Sequence, residues 1–159
     1  MMESKAKLQT LRAVMTEHNV DAWLVMSADP HQSEYVAAHW QARAWLSGFN
    51  GSAGTLVVTR EKAGLWTDSR YHIRAAQELD GSGIKLFKAG LPGVIDYPQW
   101  LKQELEQGAV VGFDGSLLSL SAVEKMEKAL DGSGISLAAK GDLVGQIWAD
   151  RPALPAEPV

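Results

Sequence analysis

Arg70 sits in the stretch LWTDSRY, just after the strand-like residues Leu65, Trp66 and Thr67 and at the start of a helix-like pattern. An arginine in a first helical turn opposes the positive end of the helix dipole. Asp68 is placed to cap that helix and offset part of the cost. A basic side chain just past the carboxyl end of a strand also lies where α/β sheets collect ligands. The planar guanidinium fork suits a carboxylate or a carbonyl. Two readings compete for Arg70: a solvated helix-start residue and a ligand contact.

The other chemically capable residues do not form a known set. His31, Glu34 and His39 are spaced His-x2-Glu-x4-His. A zinc-binding helix needs its histidines four apart with the glutamate between them, and Pro30 adjoins the first histidine. These residues read as loop or interface polar groups, and His18 and His72 read as helix-surface residues. Gly48, Gly51 and Gly54 recur every three positions and lead into a strand, whereas a dinucleotide fingerprint leads into a helix. A turn that lets backbone pack closely fits them better. Ser52 follows a glycine but lacks the strand–turn–helix setting of a nucleophile elbow. No complete catalytic set is present, and no metal-ligand set is assigned.

Composition narrows the classes further. The chain has 159 residues, a formal net charge of −4 and no cysteine. Thiol catalysis and cysteine-ligated metal sites are excluded, and the lack of cysteine fits a reducing compartment. Lysines and arginines are scattered, so the basic stripe of a nucleic-acid binder is missing. No apolar run approaches the ~20 residues of a membrane span. The charged, amphipathic N-terminus lacks a signal peptide's apolar core. A cytoplasmic protein is the expectation, without nucleic-acid or membrane partners.

The elements that must position Arg70 follow from periodicity and turn signals. Leu8, Leu11, Val14 and Met15 predict a helix over 4–18. Strands are predicted over 21–27, 55–59, 65–67, 84–87, 109–114 and 135–138, with 55–59 and 65–67 as an antiparallel hairpin. Helices are predicted over 37–46 and 70–79, over 97–106 behind Asp96, and to Leu130 behind a Ser121–Glu124 capping box. ELDGSGIKL and ALDGSGISL are near-copies that read as one turn solution used twice. Strand–helix alternation with one hairpin predicts a single α/β domain with a mixed sheet flanked by helices. That domain spans 1–150. Prolines at 152, 155 and 158 make 151–159 an extended exit linker, and its use as a spacer is favoured over a polyproline ligand.

Together, DPHQSEY, WLSGFNGSAGT, LWTDSRYHIRAA and IWADRP resemble the N-terminal, creatinase-type domain of three-domain, cytosolic-type Xaa-Pro aminopeptidases. The resemblance runs from the first helix to the proline exit. It implies a mixed-sheet α/β domain followed by a similar second domain and a catalytic domain. That last domain would hold two divalent metal ions, usually manganese, and release the N-terminal residue from peptides with proline second. None of its metal ligands maps onto this sequence, so the chain on its own is expected to be a domain fragment, inactive and without a cofactor. The implied partners are a proline-containing peptide, the chain's own second and catalytic domains, and a second subunit in a homodimer. One role carries over: in the family's W-T-D-G-R-Y motif the arginine contacts the substrate, which corresponds to Arg70. Ser69 replaces the motif's glycine, which asks for an ordinary backbone there. The competing function is a stand-alone binding or assembly module, with Trp40, Trp45 and Trp100 on a contact surface.

Overall fold

A computed structural model describes residues 4–26, 41–49, 54–149 and 151–152. The first helix, α1 (Ser4–Glu17), buries Leu8, Leu11 and Met15 on one face, as their spacing requires. Asn19 then takes a left-handed turn at φ 59°, a conformation asparagine tolerates. The chain enters β1 (Ala22–Met26), whose side chains alternate between two cores.

Next come α2 (Ala42–Ser47), β2 (Thr55–Thr59) and β3 (Ala63–Thr67). β2 and β3 pair antiparallel, as the hairpin signal predicts. A 3-10 turn (Ser69–Tyr71) leads into α3 (His72–Glu78) and β4 (Lys85–Lys88). Then follow α4 (Tyr97–Glu104), β5 (Val110–Asp114), α5 (Leu120–Ala129), β6 (Ser136–Lys140) and α6 (Leu143–Ile147).

The sheet order is β4-β3-β2-β1-β5-β6. β1, β5 and β6 run parallel to one another, as do β3 and β4, while β2 is antiparallel to both neighbours. Five strands therefore end on the same edge, and only β2 begins there. The mixed sheet is covered on both faces. One face carries Leu11, Met15, Leu46, Leu79 and Val144 from the helices, packed on Trp23, Val25, Leu56 and Leu65. The other carries Trp100, Leu101, Met126 and Leu130, packed on Leu24, Val57, Val111 and Phe113. This is the layered arrangement that strand–helix alternation predicts.

The duplicated DGSG segments are the same turn. Gly81, Gly83, Gly132 and Gly134 all have φ between 74° and 80°, where a side chain is strained. Ser82 Oγ donates to the Leu79 carbonyl and accepts the Ile84 N–H, and Ser133 repeats both bonds with Leu130 and Ile135.

Three expectations change. Ser119, rather than Ser121, caps α5, since its Oγ accepts the Ala122 N–H at 3.2 Å. Trp100 is 5% exposed and packs edge-on against Trp66 and Phe87, so it is core rather than contact surface. Trp45 is half-buried and stacks on Trp148, with ring centroids 5.1 Å apart. The sequence pattern predicts no helix after β6. There α6 forms because Asp142 accepts the Gly145 N–H and Leu143, Val144 and Trp148 are buried beside α1.

Candidate functional site

β3 delivers Asp68 and Arg70 to the edge where the parallel strands end. The chain stops extending at Asp68 because its carboxylate accepts the Arg70 N–H at 3.0 Å, which fixes the 3-10 turn. Ser69 lies within that turn and has no positive φ, as a serine there requires. The guanidinium then folds back on the same carboxylate. Nε donates to Oδ1 at 3.1 Å and Nη2 to Oδ2 at 2.8 Å.

The Asp68–Arg70 pair is open to solvent, with side-chain exposures of 42% and 65%. The Arg70 hydrogen bonds hold the Asp68 carboxyl below its ordinary range, and Asp68 in turn raises the Arg70 pKa. An exposed pair contributes little to stability, but bidentate geometry fixes direction. The Arg70 donors on Nη1 remain available to a carbonyl or carboxylate. The guanidinium also lies 5.1 Å from the centre of the Tyr71 ring.

Behind this turn stands Arg43 of α2, a residue that sequence reasoning missed. It is 6% exposed, and its guanidinium lies 5.2 Å from the Phe49 ring. Burial lowers its pKa to about 10, opposed by the fields of Tyr71 and Glu78. At neutral pH it remains a cation. Phe49 meets Tyr71 edge-on at 5.8 Å, so Arg43, Phe49, Tyr71 and Arg70 form one continuous contact chain. A Cβ on Gly54 would come 2.5 Å from Arg43 Nη1 and 3.3 Å from the Trp66 carbonyl oxygen, so the buried guanidinium would have to shift. An arginine amid the apolar residues of QARAWLSGF was the available signal.

Beside Asp68 a cavity of about 330 Å³ opens between the ends of β3 and β4 and the start of α4. Trp66, Val94, Ile95 and Tyr97 line it, with Asp68 and Asp96 also on its lining. A larger cavity of about 530 Å³ lies at the opposite edge of the sheet. Its lining is strongly charged: Arg60 pairs with Asp21 at 3.3 Å and Lys62 with Glu104 at 2.8 Å, and Glu61 and Glu106 also line it. The smaller cavity is the better site despite its size. It lies at the carboxyl ends of the strands, where open α/β sheets bind ligands, and its walls are apolar.

His31, Glu34, His39, Trp40, Gly51 and Ser52 lie outside the described residues. His72 begins α3, half-buried, with Nε2 3.1 Å from the Thr67 carbonyl, a contact that selects the tautomer protonated at Nε2. His18 Nε2 lies 3.4 Å from the Gln146 amide nitrogen. Among the described residues no group of three or more histidine, aspartate or glutamate side chains could hold a metal ion, and no helix is long and apolar enough to cross a membrane.

Comparison with known proteins places this geometry in context. The family model of the creatinase/prolidase N-terminal domain matches residues 7–144. The Xaa-Pro aminopeptidase P of Penicillium rubens, assigned as probable, is 40% identical over 99% of the chain, which covers 26% of that protein. The crystal structure of an X-prolyl aminopeptidase from Caenorhabditis elegans, described as a cytosolic enzyme with a di-nuclear active site, superposes with a TM-score of 0.92. It is 39% identical over 99% of this chain and 27% of its own. The N-terminal domain of the cytoplasmic peptidase PepQ from Mycobacterium tuberculosis superposes with a TM-score of 0.65 at 22% identity, covering 90% of this chain and 98% of its own, which shows a shared fold alone. The chain thus spans about a quarter of the full-length relatives it matches.

Proposed function

Because the chain belongs to the creatinase/prolidase N-terminal domain family, we propose that it is the non-catalytic first domain of a metal-dependent Xaa-Pro aminopeptidase. The whole protein removes the N-terminal residue from peptides with proline second. Residues 1–150 are the domain, and 151–159 lead to further domains. The single observation carrying this reading is the end-to-end likeness to a full-length X-prolyl aminopeptidase, with a TM-score of 0.92 over 99% of the chain.

Within that enzyme Arg70 is a substrate-positioning contact. Asp68 aims the guanidinium from one side, and Tyr71, backed by Phe49 and Arg43, lies against it. A peptide carbonyl or carboxylate meeting the Nη1 edge would form a charge-assisted hydrogen bond without reorganising the pair. Asp68 compensates the Arg70 charge, so the contact acts through geometry more than through long-range attraction.

The two-metal centre, with manganese as the expected metal, belongs to the catalytic domain. The described residues do not fit such a centre, and no step of the reaction is assigned to them beyond holding the peptide. The domain also contributes contacts to subunit assembly.

Expression of the full reading frame and of the 159-residue chain, each assayed on Xaa-Pro peptides, tests the assignment. The full protein should cleave them in a chelator-sensitive manner, and the chain alone should bind no stoichiometric manganese and leave them intact. Chelator-sensitive cleavage by the pure chain, or none by the full protein with metal supplied, would reject it.

A further inference from the structure

We infer that the cavity between the ends of β3 and β4 and the start of α4 is a subsite for one uncharged, apolar side chain of the peptide. The inference rests on the reading of Arg70 as a substrate contact and names what the neighbouring residue of that substrate must be. Position is the first argument. Asp68, which aims Arg70, also lines the cavity, so a peptide held by Arg70 passes its mouth.

Size and chemistry supply the others. About 330 Å³ is at the lower end of ligand cavities and has room for one large side chain. Trp66, Val94, Ile95 and Tyr97 give the apolar wall. The charged groups on the lining are Asp68 and Asp96, and among the described lining residues there is no lysine or arginine. An anionic side chain is therefore repelled.

Neither carboxylate calls for an added cation. Asp68 is paired with Arg70, and Asp96 Oδ1 accepts the Gln99 N–H at 3.0 Å. A cationic side chain would lose hydration at the apolar wall and meet only Asp96, which is exposed and already caps α4, whereas an apolar one gains from burial.

The wall is built before any ligand arrives. Trp66 stacks on Phe87 at 4.2 Å with the rings 4° from parallel, and its Nε1 donates to the Ile95 carbonyl at 2.9 Å. That bond ties the strand to the loop that closes the cavity, so little ordering cost remains on binding.

The test titrates the isotope-labelled 159-residue chain with N-acetyl-leucinamide, N-acetyl-lysinamide and N-acetyl-aspartamide, following the Trp66 indole N–H by NMR. The leucine probe should shift that resonance and the amides of Gly90 and Ile95 saturably. It should bind at least about tenfold tighter than the charged probes, as apolar pockets discriminate. Ala89→Phe, which fills the cavity from its lining, should remove the response, and Val94→Phe serves if the first variant fails to fold. Equal response to the charged probes, shifts confined to the Arg60–Lys62 edge, or a response surviving in a folded filled variant would overturn the subsite. If Arg70→Ala leaves full-length kinetics unchanged while the cavity still binds the leucine probe, the Arg70 reading fails and the subsite stands.

Discussion

Arg70 and Asp68 are joined side by side, Nε to Oδ1 at 3.1 Å and Nη2 to Oδ2 at 2.8 Å, while the same carboxylate accepts the Arg70 backbone N–H at 3.0 Å. One aspartate thus ends a strand, starts a helix and aims the arginine. A lysine at 70 would keep the charge but lose the fork. The dipole penalty expected for a cation in a first turn is met by the group that creates the turn.

The pair has a pH signature. Arg70 holds the Asp68 carboxyl below its ordinary value of 3.8. A depressed folded-state pKa means that its stabilising contribution is present above the unfolded value and is lost as pH falls through the lower folded one. In Arg70→Ala the Asp68 titration should move up toward 3.8, with the remaining backbone bond retaining part of the shift. Carboxyl-carbon NMR against pH reads this directly, and superimposable titrations in the two proteins would mean that the pair does not form in solution.

Gly64 tests the floor beneath the cavity. A Cβ there would sit 2.8 Å from both Phe87 Cε2 and Trp66 Cη2. Both rings are buried and stacked, so neither can yield cheaply. Gly64→Ala should destabilise the domain by about 1–3 kcal/mol through overpacking and perturb the Trp66 indole resonance. Unchanged urea midpoints would show that the two rings can shift at no cost.

Trp148 tests the last helix. It is 7% exposed, stacks on Trp45 and lies 5.3 Å from the Arg151 guanidinium, which also pairs with Asp142. Lys7 Nζ lies 4.5 Å from the Trp45 ring centre. Trp148→Ala should cost about 3–5 kcal/mol, as for other buried aromatics cut to alanine. Urea denaturation measures it, and a loss under about 1 kcal/mol, the scale of an ordinary surface change, would place α6 outside the cooperative fold.

What could be read from the sequence was what local forces decide. α1 follows from a single apolar stripe, and the start of α4 follows from Asp96 accepting the Gln99 N–H. Asp68 and Arg70 are two residues apart, so their partnership was within reach of a local reading. Choosing among closely spaced serines was not. Ser121 satisfies the capping pattern, yet Ser119 makes the bond. The five-residue α6 has too few turns for periodicity to register, and it exists because the core accepts Leu143 and Val144.

The cavity depends on distant partners. Its far wall reaches Asp68 only because Thr67 pairs with Lys88 in the parallel register of β3 and β4. Arg43 likewise reaches Tyr71 through Phe49, by tertiary packing that no spacing rule encodes.

Kinetics of Arg70→Ala in the full-length enzyme, measured over Xaa-Pro peptides of several lengths with metal content determined in parallel, test the central claim most directly. Arg70 as a positioning contact predicts a higher KM or a lower kcat/KM, with metal occupancy unchanged and Arg70→Lys recovering only part of the loss. A kcat/KM equal to that of the unaltered enzyme at every peptide length would contradict it.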